Sequence, residues 1–203
     1  MNSIDDLDFS KTYTYADYYS WRFEERLELI KGKIFRMSPA PTGNHQLISG
    51  NIFSDLHVFL KGKSCKVFQA PFDVRLVRSE TSDKKVKNVV QPDVCVICDL
   101  TKMADTRSCL GAPEIVVEVL SPGNNKKEIK IKYDLYEEFG VKEYWIVYPG
   151  EQSMIRYILN KNGKFVTEGR ALTLGDKLTT PILPGFELAL DDVFSGLFAN
   201  PNE

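Results

Sequence analysis

At 203 residues, with 43% hydrophobic and 27% charged side chains, the chain can fill one sizeable globular core and is too apolar for extensive disorder. A formal net charge of −2 excludes an overall basic, nucleic-acid-coating surface. No run approaches the roughly 20 apolar residues that span a bilayer, and the acidic start Met-Asn-Ser-Ile-Asp-Asp lacks the apolar stretch of a secretory signal, so a cytoplasmic protein without membrane contact is expected.

Thr14 to about Glu25 predicts a short helix, with Thr14 as N-cap and Asp17 as the acid of a capping box. Leu27 to Met37 alternates in strand fashion around Lys31-Gly32-Lys33, a hairpin signal, and Ser38-Pro39-Ala40-Pro41 breaks the pattern. From Thr42 to about Leu60, Ile48, Ile52, Leu56, Phe59 and Leu60 recur at helical spacing. Cys65–Ala70 and Asp73–Val77 are β-rich and joined through Pro71, and the Lys-rich stretch Ser79–Asn88 predicts a loop. Val94–Ile97 and Ile115–Leu120 are short apolar runs of the kind covered on both faces. Between them, Leu100–Pro113 reads as irregular or as holding one short helix.

Asn125 to Phe139 predicts a helix ended by Gly140, and Glu143–Tyr148 a strand stopped by Pro149-Gly150. A strand meander follows: Ser153–Leu159, Lys164–Glu168 after an Asn162-Gly163 turn, and short strands near Leu178 and Phe186. No repeat or linker interrupts the chain. The expectation is a single domain over 1–203, with a mixed α/β core over about 13–148 and a β appendage over about 149–195.

Cys95 and Cys98 form a CxxC, but they sit within a predicted strand, where positions three apart face opposite ways. Buried structural thiols are expected there rather than a zinc site. Two basic clusters stand out: Lys84, Lys85 and Lys87, and Lys126, Lys127 and Lys130. Each alone reads as a solvated face; together they could supply phosphate contacts.

Three residues sit awkwardly. Glu118 lies inside the apolar run Ile115–Leu120, where a carboxylate costs several kcal/mol unless a cation, a proton or strong donors compensate it. Asp93, after Gln91-Pro92, opens the apolar run Val94–Ile97. Two such acids on neighbouring strands would form a hard oxygen site suited to magnesium or manganese. Lys132 is the third: at about 100° per residue it falls between Tyr136 and Phe139, on the apolar arc with Ile129 and Tyr133. It therefore points toward the core and needs a partner, unless its stem snorkels to the surface. Glu28, within Leu27-Glu28-Leu29-Ile30, is a fourth acid among apolar neighbours, although by itself it fits an edge strand facing water.

Taken in order, Gln91-Pro92-Asp93, the run Ala112-Pro113-Glu114 through Ser121-Pro122, Lys132 with Tyr136, and Gly140-Val141-Lys142-Glu143-Tyr144-Trp145-Ile146-Val147 resemble the Uma2 family. The upstream stretch Leu27–Ile34, with Met37-Ser38-Pro39 and His45-Gln46, is similar to it too, so the resemblance covers about Tyr13 to Phe194. That family is regarded as restriction-endonuclease-like, within the PD-(D/E)xK nuclease superfamily. The resemblance implies a mixed central sheet flanked by helices, with the C-terminal β meander added to it.

It also implies Asp93 and Glu118 as metal-binding acids, Glu28 as an additional acid on the metal or its water, and the Val119 carbonyl as a further ligand. A plain (D/E)xK would place lysine two positions after Glu118, where Leu120 stands; the resemblance assigns that role to Lys132, the residue that the helical wheel also singles out. The implied activity is Mg2+- or Mn2+-dependent endonucleolytic hydrolysis, with DNA as the expected partner and a homodimer as the expected assembly. Gln46 and Tyr136 could position water or phosphate, and His45 could touch substrate; core packing and helix-end polarity explain Tyr136 and His45 equally well. Competing readings are a catalytically weak nucleic-acid-binding module and an interaction protein that pairs through Phe186–Leu190.

Overall fold

The computed structural model describes residues 3–22, 25–37, 41–79, 81–103, 105–121 and 126–199. Helix α1 (Tyr15–Ser20) opens with the expected capping box: the Thr14 side chain accepts from the Asp17 amide, and Asp17 accepts from the Thr14 amide. It stops at Ser20 rather than near Glu25, because Trp21 leaves helical geometry and packs edge-on against Tyr13. β1 (Leu27–Ile30) and β2 (Lys33–Arg36) make the predicted hairpin, with positive φ at both Lys31 and Gly32, as a two-residue primed turn requires. Ser38, Pro39 and Ala40 lie outside the described residues.

α2 (Gly43–Leu60), capped by Thr42, buries Ile48, Ile52, Leu56 and Leu60 along one stripe. After it come β3 (Lys66–Gln69), β4 (Val74–Arg75), β5 (Val89–Val90), β6 (Val94–Ile97), β7 (Cys109–Leu110) and β8 (Ile115–Val119). The Ser79–Asn88 stretch holds a 3₁₀ turn at Asp83–Lys85, and a second 3₁₀ turn spans Leu100–Met103. α3 (Lys126–Phe139) ends at Gly140 with φ 83°. β9 (Glu143–Tyr148), β10 (Ser153–Leu159), β11 (Phe165–Thr167), β12 (Leu172–Thr173), β13 (Lys177–Thr179), β14 (Glu187–Ala189) and α4 (Leu190–Val193) complete the order. β7 and β12, two residues each, are too short to show any alternation in sequence.

The central sheet runs β11-β10-β9-β8-β6-β3, with β12 on β10, and a second sheet runs β2-β1-β5-β4-β7. The central sheet's pairs are antiparallel except β8 with β9, the neighbours that need a crossover, and α3 supplies it. This is the mixed α/β arrangement the sequence implied. Of the expected C-terminal strands, β10, β11 and β12 continue the central sheet, with β10 pairing along β9 from Ser153↔Tyr148 to Ile158↔Glu143, whereas β13 and β14 pair with each other in a separate two-stranded sheet.

The two faces of the central sheet bury different cores. One packs Ile48, Ile52 and Leu56 of α2 on Val96, Val117 and Trp145, closed by Phe186, Leu188 and Leu190. Those C-terminal residues thus complete this core. The other face packs Leu135 and Tyr136 of α3 on Cys95, Val116 and Ile146. Cys95 faces α3 and Cys98 faces α2, the divergence that strand geometry demands. One expectation is corrected: Cys98 is not a free thiol but is bonded to Cys65, because the register pairing Lys66 with Ile97 brings Cys65 opposite Cys98. Cys95 and Cys109 remain buried thiols. Among the described residues no helix is long and apolar enough to cross a membrane.

Candidate functional site

The β6–β8 register pairs Val94 with Val117, so Asp93 enters the sheet beside Glu118. Alternation turns Glu118 to the α3 face with Val116 and leaves it 7% exposed. From α3 comes Lys132, whose Nζ lies 2.9 Å from Glu118 Oε1 and 3.1 Å from Glu28 Oε1. One turn further on, the Tyr136 hydroxyl donates to the same Glu118 oxygen at 2.7 Å. Glu28, on β1, is also buried, and its Oε1 accepts the Gln91 amide at 3.0 Å. Asp93 Oδ2 accepts the Val119 amide at 2.8 Å and lies 3.3 Å from Nε2 of His45, which α2 brings in with its first turn and which also meets the Val119 backbone. β1, α2, the β6–β8 pair and α3 thus bring Glu28, His45, Asp93, Glu118, Lys132 and Tyr136 together.

The cluster holds three acids and few compensating charges, and its electrostatics show the strain. Burial is the largest cause lifting Glu118 to about 7; Lys132 pulls it down, while Asp93 and Glu28 push it up. Burial opposes the charge on Lys132, but Glu118 and Glu28 outweigh it and hold its pKa above the ordinary lysine value. Burial likewise disfavours protonated His45, and its hydrogen bond to Asp93 with the Asp93 charge raises it on balance. Desolvation and the neighbouring carboxylates push the Tyr136 hydroxyl well above its usual range, so it stays protonated and able to donate.

Among the described residues, no three His, Cys, Asp or Glu side chains close around one point as a ready metal cage. The acids converge on Lys132 instead. Yet Asp93 Oδ1 and Glu118 Oε2 accept no hydrogen bond among the described residues. Two carboxylates completed by water and a substrate phosphate oxygen are a donor set that Mg2+ accepts, so the residues fit such an ion. Glu28, His45, Asp93, Glu118 and Lys132 line one pocket, together with apolar Ile30, Phe35, Leu120 and Ile129 and polar Ser121 and Glu128, while Tyr136 lies behind them in the core.

Not every expected residue reaches that pocket. Gln46 is exposed on α2 and does not line it. Lys84 and Lys85 sit on the 3₁₀ turn packed beside α1; with Lys87 they lie outside the lining, as do Lys126 and Lys127 at the exposed start of α3. Lys130 pairs with Asp134 on the outer face of α3. The cations at the lip are Arg26 and Arg36, which charge clustering did not reveal. Alternation from Glu28 would have pointed to Arg26, two residues earlier on the same face.

A mixed sheet with acids at adjoining strands and a lysine on the crossover helix defines a restriction-endonuclease-like α/β protein. The chain belongs to the Uma2 family, whose model, described as "Putative restriction endonuclease", matches residues 15–191. It is similar to a crystallised protein from Anabaena variabilis ATCC 29413, described as a "putative nuclease belonging to DUF820", with 18% identity, 90% of this chain and 98% of that one covered, and a TM-score of 0.66. At that identity the likeness speaks for the fold. No curated protein gives a significant match.

Proposed function

We propose that this protein is a Mg2+- or Mn2+-dependent endonuclease that hydrolyses phosphodiester bonds in DNA. The observation that carries this reading is the convergence of Asp93, Glu118 and Lys132 at one pocket, with Glu118 poised near neutrality and Lys132 kept charged. Membership of the Uma2 family supports it.

In this reading Asp93 and Glu118 hold the ion, which supplies polarisation of the scissile phosphate and a lowered pKa for a bound water. Lys132 stays protonated and offers its charge to the oxygens on phosphorus as negative charge develops there. Glu28 and Glu118 fix the ammonium from two sides. Tyr136 donates to Oε1 of Glu118, so that carboxylate cannot rotate freely. His45, with Nε2 3.3 Å from Asp93 Oδ2, restrains that carboxylate from the α2 side.

The test is incubation of supercoiled and short linear DNA with Mg2+ or Mn2+, using wild type, Asp93→Ala, Glu118→Ala and Lys132→Met. The expected result is nicking by wild type that chelation and each substitution remove. Intact DNA under all conditions with folded wild type, or cleavage that survives Glu118→Ala, contradicts the proposal.

A further inference from the structure

Arg26 is placed with more care than an exposed arginine needs. It lies two residues before Glu28, so both side chains line the same pocket. The hairpin fixes its backbone, since its carbonyl accepts the Met37 amide at 3.2 Å. Its guanidinium is held along one edge: Nε and Nη2 donate to Gln91 Oε1 at 3.0 and 2.8 Å. That partner is a neutral amide. Arg75 is matched by Asp83 and Asp105, and Arg170 by Asp176, whereas among the described residues no carboxylate comes within ion-pair distance of Arg26. Among the described residues Nη1 of this pocket-lining guanidinium meets no acceptor, a geometry suited to an oxyanion.

Gln91 cannot turn over to release it. Its Nε2 donates to Asp73 Oδ1 at 2.9 Å and to the Tyr18 hydroxyl at 3.2 Å, and that hydroxyl donates to the same Asp73 oxygen at 3.2 Å. A flipped amide would aim its NH2 at the guanidinium and its oxygen at a carboxylate, losing on both sides. The main-chain amide of the same residue donates to Glu28, the acid that also holds Lys132. One buried residue therefore sets the Arg26 fork and the Glu28 carboxylate together, two positions before Asp93. With Lys132 deeper and Arg26 at the lip, two cations are held in place by separate fixed partners. That suits a ligand carrying repeated charges along a strand rather than one small anion.

We infer that Arg26 forms a phosphate subsite for the nucleic-acid strand beside the scissile bond, and that Gln91 is the positioning residue that presents it. This rests on the nuclease reading and adds a binding group to it. Affinity is measured by fluorescence anisotropy of an end-labelled DNA oligonucleotide with Mg2+, in a Glu118→Gln background that leaves the strand intact. Arg26→Ala, Arg26→Lys and Gln91→Ala are added to that background, with circular dichroism to confirm folding. The Arg26 variants decide the matter, because that side chain is exposed and its loss spares the core.

Arg26→Ala is expected to weaken binding about tenfold and to lower the slope of log affinity against log salt by roughly 0.7–0.9, the loss of one phosphate contact. Arg26→Lys keeps the slope but not the full affinity, because the charge remains without the fork. Gln91→Ala weakens binding with the slope unchanged. An Arg26→Ala protein within twofold of its parent, at the same slope, overturns the subsite while the parent's binding leaves the nuclease reading standing. A parent that holds no DNA overturns both.

Discussion

Two buried lysine–glutamate pairs flank β8, and they have opposite characters. At its start, Glu114 receives Lys102 on one oxygen at 2.8 Å and the Cys98 amide on the other at 2.7 Å; Lys102 also donates to the Ala112 carbonyl. Burial raises that carboxyl, but the Cys98 amide and Lys102 outweigh it and leave it below its ordinary value. Near the other end, Glu118 must share Lys132 with Glu28 and stand near Asp93, and it is held at about 7. A matched pair settles its strand. A crowded one stores unresolved charge that a cation or a phosphate-bound ion can relieve, and perturbation of that kind concentrates at functional sites.

The sharpest way to break this comparison is to neutralise each acid in turn. Glu118→Gln should cut DNA cleavage by about 10³-fold or more, and Lys132→Met by about 10²–10³-fold, in single-turnover assays. Glu114→Gln should leave cleavage within a few-fold while costing about 2 kcal/mol, since it strands Lys102 and the Cys98 amide. Glu118→Gln should cost less stability than Glu114→Gln, because it relieves Asp93 and Glu28. The reverse order in chemical denaturation would show that Glu118 is as structural as Glu114.

A smaller effect sharpens the site itself. Tyr136→Phe removes the 2.7 Å bond to Glu118 and should slow cleavage about tenfold, with a stability loss of about 1 kcal/mol. An unchanged rate would confine Tyr136 to packing. A separate effect is a dependence of stability on pH in metal-free protein. Glu118 ordinarily titrates at 4.5 and here at about 7, so between those values the folded protein holds a proton that the unfolded chain has released. Stability from this group therefore falls as pH rises across that window. Thermal unfolding with chelator should show that decline in wild type and a flatter profile in Glu118→Gln.

Much of the frame was legible because its signals are local. Thr14 with Asp17 marked a helix start, Lys31-Gly32 a turn, and Ile48, Ile52 and Leu56 a buried stripe. The Glu118–Lys132 pair was legible for a different reason: an acid in an apolar strand and a lysine on an apolar arc each require a partner. What stayed hidden depends on contacts between distant positions. Arg26 meets Gln91 across 65 residues, and nothing in either neighbourhood announces the other. Cys65 finds Cys98 only through the β3–β6 register. The Lys84–Lys87 cluster drew attention by density alone, and density says nothing about which side of the fold a turn will occupy.

The crowded cluster, unlike the matched pair, is expected to accommodate a divalent cation. Calorimetric titration of Mg2+ and Mn2+ into wild type, Glu114→Gln, Asp93→Ala and Glu118→Ala, with and without a short DNA duplex, tests it most directly. Saturable binding to wild type and Glu114→Gln is expected, disappearing in Asp93→Ala and Glu118→Ala. No binding by wild type under either condition, or equal binding by all four proteins, would contradict it.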